Sequence, residues 1–323
     1  MATRAKVARG RIILAALGGA ALAGVSGHLL RRYRHDLDDA RARLTAVDRQ
    51  VIPTEFGALE YAERGDGEPV LVSHGIFHGC DGALLSVRDL VADRHVIAPS
   101  RFGYLGSPVP IGATPADQAD AFVSLLDRLG IGRIDVLSIS AGTTSALQLA
   151  LRHPDRVRHL VIMSGNLPGT PMAAAPPRWA RQLYRDPVMW ALKVFNRPML
   201  ARLMGVPNGF PHGAEQAEFV SEMLDSIFPV GPRANGIVFD AFVSNPEVNS
   251  CHLEALGVPT LLIHARDDPM IPFAAAQQAA ERIPGSVLVR MESGGHLGLG
   301  QTERVRAELA AFFAEPQRGL LIT

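Results

Sequence analysis

The chain has 323 residues, no net formal charge and a hydrophobic content of 47%. This is ample for one large α/β domain and too apolar for disorder over most of the length. The sequence has no basic stripe interleaved with aromatics, no P-loop and no glycine-rich dinucleotide motif, so neither nucleic-acid nor nucleotide binding is predicted. Two cysteines, Cys80 and Cys251, are too few for a disulfide framework.

The N-terminal segment is basic and hydrophobic. Residues 1–50 hold ten Lys or Arg and four Asp or Glu, and an uncharged run, 12–30, lies between two basic clusters. A membrane-spanning helix needs about 20 residues, so residues 1–32 are predicted to be a single-span membrane anchor. The sequence does not determine the orientation of this anchor in the membrane. The alternative is a signal peptide cleaved after Ala23, which implies secretion. Residues 33–50 are charged and helix-favouring, and are predicted to form a helical linker.

The middle of the chain alternates between strand and helix patterns. Residues 54–62 and 69–73 predict the first strands, and the later alternation indicates a mainly parallel sheet covered by helices on both faces. The alternation stops over residues 166–256, where aromatic residues, methionine and proline are frequent, and an inserted α-helical cap is predicted there. The core therefore consists of two parts, residues 51–165 and 257–323.

Two histidines, His74 and His78, lie in the loop after the predicted strand 69–73. Their spacing of four residues raises the question of a metal site. No acidic third ligand is nearby and the segment has a loop pattern, so no metal and no cofactor are predicted. His74 is instead expected to brace the loop.

Ser140 follows an apolar strand pattern, 134–139, and precedes a helix-prone run, 145–152. This layout is typical of a nucleophile elbow, in which a tight strand-to-helix turn presents one hydroxyl and requires small neighbours. The helix N terminus offers backbone N–H groups to a developing negative charge. The alternative is an ordinary Ser/Thr cap at the start of a helix.

An acid and a histidine follow in chain order. A buried strand pattern starting near Pro259 leads to Asp267 and Asp268, and a later loop carries His296. In a serine triad the imidazole takes the hydroxyl proton, and a buried carboxylate fixes the imidazole tautomer and stabilises its cation. His264 is expected to be a hydrogen-bonded histidine at a strand end without a catalytic role.

These motifs resemble the α/β-hydrolase fold superfamily, and within it the serine hydrolases with a helical cap, over roughly residues 51–315. The segment 138–142 matches the pattern G-x-S-x-G with Ser138 at the first glycine position. The order serine, acid, histidine also matches, as does the loop 98–107.

The resemblance implies an α/β-hydrolase fold with a mainly parallel sheet flanked by helices, an inserted cap and, in this chain, an N-terminal hydrophobic segment. It implies Ser140 as nucleophile, His296 as base and Asp268 as acid, with Asp267 as the alternative acid. The oxyanion hole is expected to consist of the backbone N–H groups of Ile76 and Ala141.

The expected activity is cofactor-free, membrane-associated hydrolysis of a carboxylic ester, or a related acyl bond, of a small hydrophobic substrate. Carbon–carbon bond hydrolysis, haloperoxidase or perhydrolase activity and acyl transfer use the same triad, and the sequence does not separate them. The non-enzymatic alternative is a catalytically inactive, membrane-tethered scaffold. Against this alternative, every triad position is filled by a residue that can perform its catalytic role. Substrate identity and oligomeric state stay open.

Overall fold

A computed structural model describes residues 26–210 and 213–314 of the chain. The chain divides into two compact units, with the boundary after Thr45. In the first unit, residues 26–45 form helix α1. Side-chain ion pairs at helical spacing, such as Arg32–Asp36 and Arg41–Asp38, support it.

Most of the predicted anchor or signal segment, residues 1–32, lies outside the described residues. Within the described part of the chain, no helix combines the length and the apolar character that crossing a bilayer requires. The predicted linker, residues 33–50, is helical as far as residue 45, and residues 46–49 then lead into the first strand.

The second unit contains an eight-stranded sheet, and its strands lie in the order β1-β2-β4-β3-β5-β6-β7-β8. The strands are β1 (Gln50–Thr54), β2 (Gly57–Arg64), β3 (Pro69–Ser73), β4 (His95–Pro99), β5 (Ile134–Ile139), β6 (Val157–Met163), β7 (Thr260–Ala265) and β8 (Val287–Met291). Strands β3 to β8 pair in parallel, and β2 pairs antiparallel with β1 and β4. The predicted mainly parallel sheet is therefore confirmed.

The predicted first strand, residues 54–62, is wrong in one respect, because the chain reverses at residues 55–56 and forms the hairpin β1–β2. Gly57 has a φ of 101°, which favours glycine. The Thr54 hydroxyl accepts a hydrogen bond from the Phe56 N–H and donates one to the Gly57 carbonyl. The strand-forming residues on both sides of this turn made residues 54–62 resemble one continuous strand. Gly57 and the Thr54 hydroxyl specify the turn.

Helices cover both faces of the sheet. The helices after α1 are α2 (Cys80–Ser86), α3 (Pro115–Arg128), α4 (Thr143–Arg152), α5 (Asp186–Phe195), α6 (Arg197–Leu203), α7 (Ala214–Ser226), α8 (Ala234–Phe239), α9 (Asn245–Glu247), α10 (Phe273–Arg282) and α11 (Thr302–Ala314). Alternate strand residues face opposite layers. Leu71 packs in a core with α3, α4 and α10, whereas Val70 and Val72 pack in a core with α2 and α11. Burial of both faces explains the nearly continuous apolar runs of the parallel strands.

The inserted helical cap is confirmed, and it lies between β6 and β7. It contains α5 to α9, and a π-helical turn, Asp240–Ser244, joins α8 to α9. Because parallel strands end at the same edge of a sheet, the loops after β3, β5, β7 and β8 lie close together. The cap inserts after β6, at that same edge.

Candidate active site

Ser140 stands at the end of β5 in a strained turn. Its φ is 52°, and a short 3₁₀ turn, Ser140–Gly142, connects it to α4. A left-handed conformation at a non-glycine residue costs roughly 1–3 kcal/mol and is found where a side chain must be presented. Gly142 allows the tight approach, since a Cβ there would lie 2.1 Å from the Ser73 carbonyl oxygen.

The departure from the glycine pattern at Ser138 is accommodated by the fold. Ser138 lies within β5, and its φ is not positive, so glycine is not required there. Its buried hydroxyl donates a 3.1 Å hydrogen bond to the Val161 carbonyl. The elbow therefore forms with serine at the first position of the pattern.

His296 and Asp268 form a buried pair. His296 Nδ1 lies 2.8 Å from Asp268 Oδ2, which places the ring proton on Nδ1 and leaves the Nε2 lone pair free. Asp268 Oδ1 accepts the N–H groups of Met270 (2.8 Å) and Ile271 (3.0 Å). Burial alone raises the pKa of the Asp268 carboxyl, but His296, His264 and the Ile271 N–H outweigh it and hold this pKa below its usual range. The carboxylate is therefore ionised at neutral pH.

Ser140 and His296 line the same cavity, and Ile76 is beside them. Ser140 Oγ and His296 Nε2 are both buried, and neither has a hydrogen-bond partner among the described residues. The structure thus brings all three predicted triad residues together. It leaves unpaired the two atoms that a serine mechanism uses.

Asp267, the alternative acid, has a different position. Its two carboxylate oxygens accept the N–H groups of Gly295 (2.8 Å) and Gly294 (3.2 Å), immediately before His296. It therefore braces the backbone of the histidine loop, whereas Asp268 pairs with the imidazole. His264 Nε2 lies 2.9 Å from the Ile271 carbonyl, as expected for a hydrogen-bonded strand-end histidine.

His74 orients the Gly75–Ile76 peptide group. The Arg101 N–H donates to His74 Nε2 (3.0 Å), so the ring proton is on Nδ1, which donates to the Gly75 carbonyl (2.8 Å). Burial, together with the charge of Arg101, holds the pKa of His74 well below 6.5, so this neutral tautomer persists. In a trans peptide the N–H points opposite to the carbonyl, so fixing the Gly75 oxygen fixes the direction of the Ile76 N–H.

Ile76 and Ala141, the predicted oxyanion donors, therefore belong to two well-defined backbone segments. Ile76 borders the cavity that contains Ser140, and Ala141 is buried in the 3₁₀ turn directly after Ser140. Among the described residues, no backbone carbonyl accepts from the Ile76 N–H.

A buried network from the cap reaches this loop, and it was not among the predicted site residues. Asp240 in the π-helical turn accepts hydrogen bonds from Arg101 Nη1 (2.5 Å), Arg101 Nη2 (2.6 Å) and the Tyr104 hydroxyl (2.5 Å). Arg101 Nε also donates to the His74 carbonyl (3.0 Å). An acid within the otherwise apolar run 237–243 was the signal available in the sequence, since a buried charge requires a partner.

The catalytic cavity is apolar and rich in methionine. Its volume is about 70 Å³. The lining residues are Gly75, Ile76, His78, Ser86, Leu90, Ile139, Ser140, Met163, Ser164, Leu203, Met204, Phe219, Met223, Met270, Met291, His296, Leu297 and Gly298. Neither Lys nor Arg occurs among these described residues.

Of the cap's Phe, Tyr and Trp residues that the structure describes, one lines this cavity. Phe219 lines the cavity, but Trp179 and Phe195 are mostly exposed. The cap otherwise contributes aliphatic and methionine side chains, which adapt well to irregular surfaces. Within the described ranges, no three His, Cys, Asp or Glu residues are placed to hold a metal ion.

The site contains a serine whose hydroxyl has no hydrogen-bond partner among the described residues, and a histidine paired with a carboxylate. Together with the parallel sheet covered by helices, these groups define the protein as a hydrolase. The family model described as alpha/beta hydrolase fold matches residues 68–301. The chain therefore belongs to the α/β-hydrolase fold family.

Individual relatives agree with this family. The chain is 29% identical over 272 residues to a 2-hydroxymuconate semialdehyde hydrolase of Pseudomonas putida. The aligned region covers 78% of this chain and 89% of the relative. Among solved structures, it is similar to an α/β-hydrolase fold protein from Nakamurella multipartita (27% identity, TM-score 0.68, covering 82% of this chain and 98% of the other). It is also similar to a thermophilic esterase from Thermogutta terrifontis (25% identity, TM-score 0.61, covering 82% and 98%).

Proposed function

We propose that the protein hydrolyses a carboxylic ester of an uncharged, apolar acid through an acyl-enzyme on Ser140. The observation that carries this proposal is the lining of the catalytic cavity, which is apolar and has no cationic side chain among the described residues. Burying an unpaired carboxylate is costly, so this cavity favours a neutral acyl group. The similarity to the Thermogutta terrifontis esterase supports the same activity.

The proposed mechanism assigns one task to each group. His296 Nε2 removes the proton of Ser140 Oγ as the oxygen attacks the ester carbonyl carbon, and Asp268 stabilises the resulting imidazolium. The N–H groups of Ile76 and Ala141 stabilise the oxyanion, and loss of one such donor typically costs about 3–4 kcal/mol. His296 then protonates the leaving alcohol and, in the second half of the reaction, activates the water that releases the acid.

Carbon–carbon bond hydrolysis is the second candidate, because a relative with 29% identity is named for a 2-hydroxymuconate semialdehyde. That substrate is a carboxylate. A buried carboxylate is held most strongly by a cationic partner, and the described lining of this cavity contains no Lys or Arg. The cavity therefore favours the ester over the carbon–carbon substrate.

A labelling and turnover experiment tests the proposal. A fluorophosphonate probe and p-nitrophenyl esters of increasing acyl length would be applied to the wild type and to Ser140→Ala, with 2-hydroxymuconate semialdehyde assayed in parallel. We expect labelling and ester hydrolysis that both disappear in the variant, and a higher kcat/KM for the esters than for the semialdehyde. Ester hydrolysis retained in Ser140→Ala, or a preference for the semialdehyde, would overturn the proposal.

We also propose that residues 1–32 attach the protein to a membrane as a single span. The support is the uncharged run 12–30 between basic clusters in the sequence. The full-length chain should then resist extraction by carbonate and dissolve in detergent. A mature N terminus at Gly24 would show instead that the segment is a cleaved signal peptide.

A further inference from the structure

A second, larger cavity adjoins the catalytic cavity. Its volume is about 300 Å³, and its lining comes from α2 and the residues after it, from the cap helix α7 and from the segment after His296. The two cavities share six lining residues: Ser86, Leu90, Met163, Phe219, Leu297 and Gly298. The two cavities are therefore direct neighbours.

The wall of the second cavity continues the chain segment that carries the proposed general base. Residues 297–300, which follow His296 directly, form part of its wall. During acyl transfer the histidine gives the serine proton to the leaving oxygen, so that oxygen must lie within reach of His296 Nε2. His296 and Ser140 line the first cavity, and His296 Nε2 and Ser140 Oγ have no hydrogen-bond partner among the described residues.

The charges that line the second cavity are mostly negative. Four acids, Asp89, Glu215, Glu218 and Glu222, stand against one base, Arg88, which gives a formal balance of −3 (one minus four). Arg88 pairs with Glu222 (3.1 Å) and with Asp89 (3.3 Å). Glu215 and Glu218 are exposed on α7. A negative field around a cleft attracts cations and repels anions.

We propose that the second cavity holds the alcohol part of the ester, and that it selects neutral or cationic alcohols over anionic ones. This presupposes the proposed esterase activity. The bond from Ser140 Oγ to the acyl carbon forms while the bond from that carbon to the alkoxy oxygen breaks. The proton of Ser140 passes through His296 to the alkoxy oxygen, and the resulting alcohol leaves through the second cavity.

Three esters of one short acid test this selection: those of choline (cationic), 3,3-dimethylbutanol (its neutral isostere) and 3-sulfopropanol (anionic). Values of kcat/KM would be measured for the wild type, for Glu218→Lys and for the matched control Glu281→Lys. Glu281 is an exposed acid on α10 that lines neither cavity. Both variants change the net charge by the same amount.

We expect the wild type to prefer the choline ester over the sulfopropyl ester by roughly three- to tenfold at low salt, the size of effect that partly screened charges produce. Glu218→Lys should lower this ratio at least threefold, whereas Glu281→Lys should leave it unchanged. The ratio should shrink at high ionic strength, because salt screens exposed charges.

Two outcomes would overturn the inference, and they are distinguishable. If the neutral ester is hydrolysed but the cation-to-anion ratio is near one, or is unaffected by Glu218→Lys, the subsite is wrong and the esterase activity stands. If well-folded protein hydrolyses none of the three esters, the proposed function fails and the subsite fails with it.

Discussion

The backbone N–H of His296 donates a 2.9 Å hydrogen bond to the carbonyl of Gly205, so a loop of the cap directly holds the proposed general base. The contact is tight on both sides. A Cβ at Gly205 would lie 2.1 Å from the Cβ of His296, and a Cβ at Gly295 would lie 2.4 Å from Pro207 Cδ. The cap therefore positions the imidazole as well as covering it.

Gly205→Ala should impair catalysis because the new methyl group displaces His296. A misplacement of about 1 Å can cost about a hundredfold in rate, so kcat should fall at least tenfold. Gly209→Ala is the matched control, since Gly209 also has a positive φ (68° against 85°) but has nothing within 4 Å of an added Cβ. Steady-state kinetics on both variants provide the measurement. If kcat fell equally in the two variants, backbone strain alone would explain the loss in Gly205→Ala.

Asp268→Asn should reduce kcat far more than Asp267→Asn. Only Asp268 contacts the imidazole, and an amide there no longer fixes the tautomer; the corresponding change in a serine protease costs about 10⁴-fold. Asp267→Asn keeps one acceptor oxygen for the N–H groups of Gly294 and Gly295, so we expect a loss of roughly tenfold or less, with lowered thermal stability. Kinetics and thermal melts of the two variants separate these effects. Comparable losses of kcat would undo the assignment of the acid.

His78 should make the protein less stable as the pH falls. Burial lowers the pKa of His78 from 6.5 to about 4; the charge of Asp81 opposes this shift, and the charges of Arg233 and Arg101 add to it. Between pH 6.5 and pH 4 the unfolded chain therefore binds a proton that the folded chain excludes. The free energy of unfolding is accordingly highest above pH 6.5 and decreases as the pH falls towards 4.

The shift corresponds to a change on the order of 3 kcal/mol, since each pKa unit is about 1.4 kcal/mol. Urea denaturation at pH 7 and pH 4.5 should show a smaller fall in unfolding free energy for His78→Phe than for the wild type. Identical pH dependence would mean that His78 titrates normally in the folded protein.

Asp240→Asn should strongly destabilise the cap. It leaves the buried Arg101 guanidinium without its charge partner, and removing one member of a buried ion pair costs about 3–5 kcal/mol. Tyr104→Phe removes a single hydrogen bond to the same carboxylate and should cost about 1–3 kcal/mol. Denaturant unfolding of both variants tests this order. A cost for Asp240→Asn no larger than that for Tyr104→Phe would show that the pair contributes little to stability.

Local sequence patterns determined the fold class and the three candidate triad positions. The apolar strand before Ser140, the small residues around it and the glycine-rich loop before His296 are features of contiguous residues, so they are visible without a structure. The same local view treated residues 54–62 as one strand, because the effect of Gly57 on the hairpin depends on pairing between strands.

The tertiary structure alone decided which groups support the site. Asp267 and Asp268 are adjacent in the chain, and only the folded geometry directs one to the histidine ring and the other to the backbone of its loop. Gly205 and Asp240 act on His296 and Arg101, which are 91 and 139 residues away in the chain. Local patterns carry no information about such contacts, because they depend on where the cap packs against the sheet.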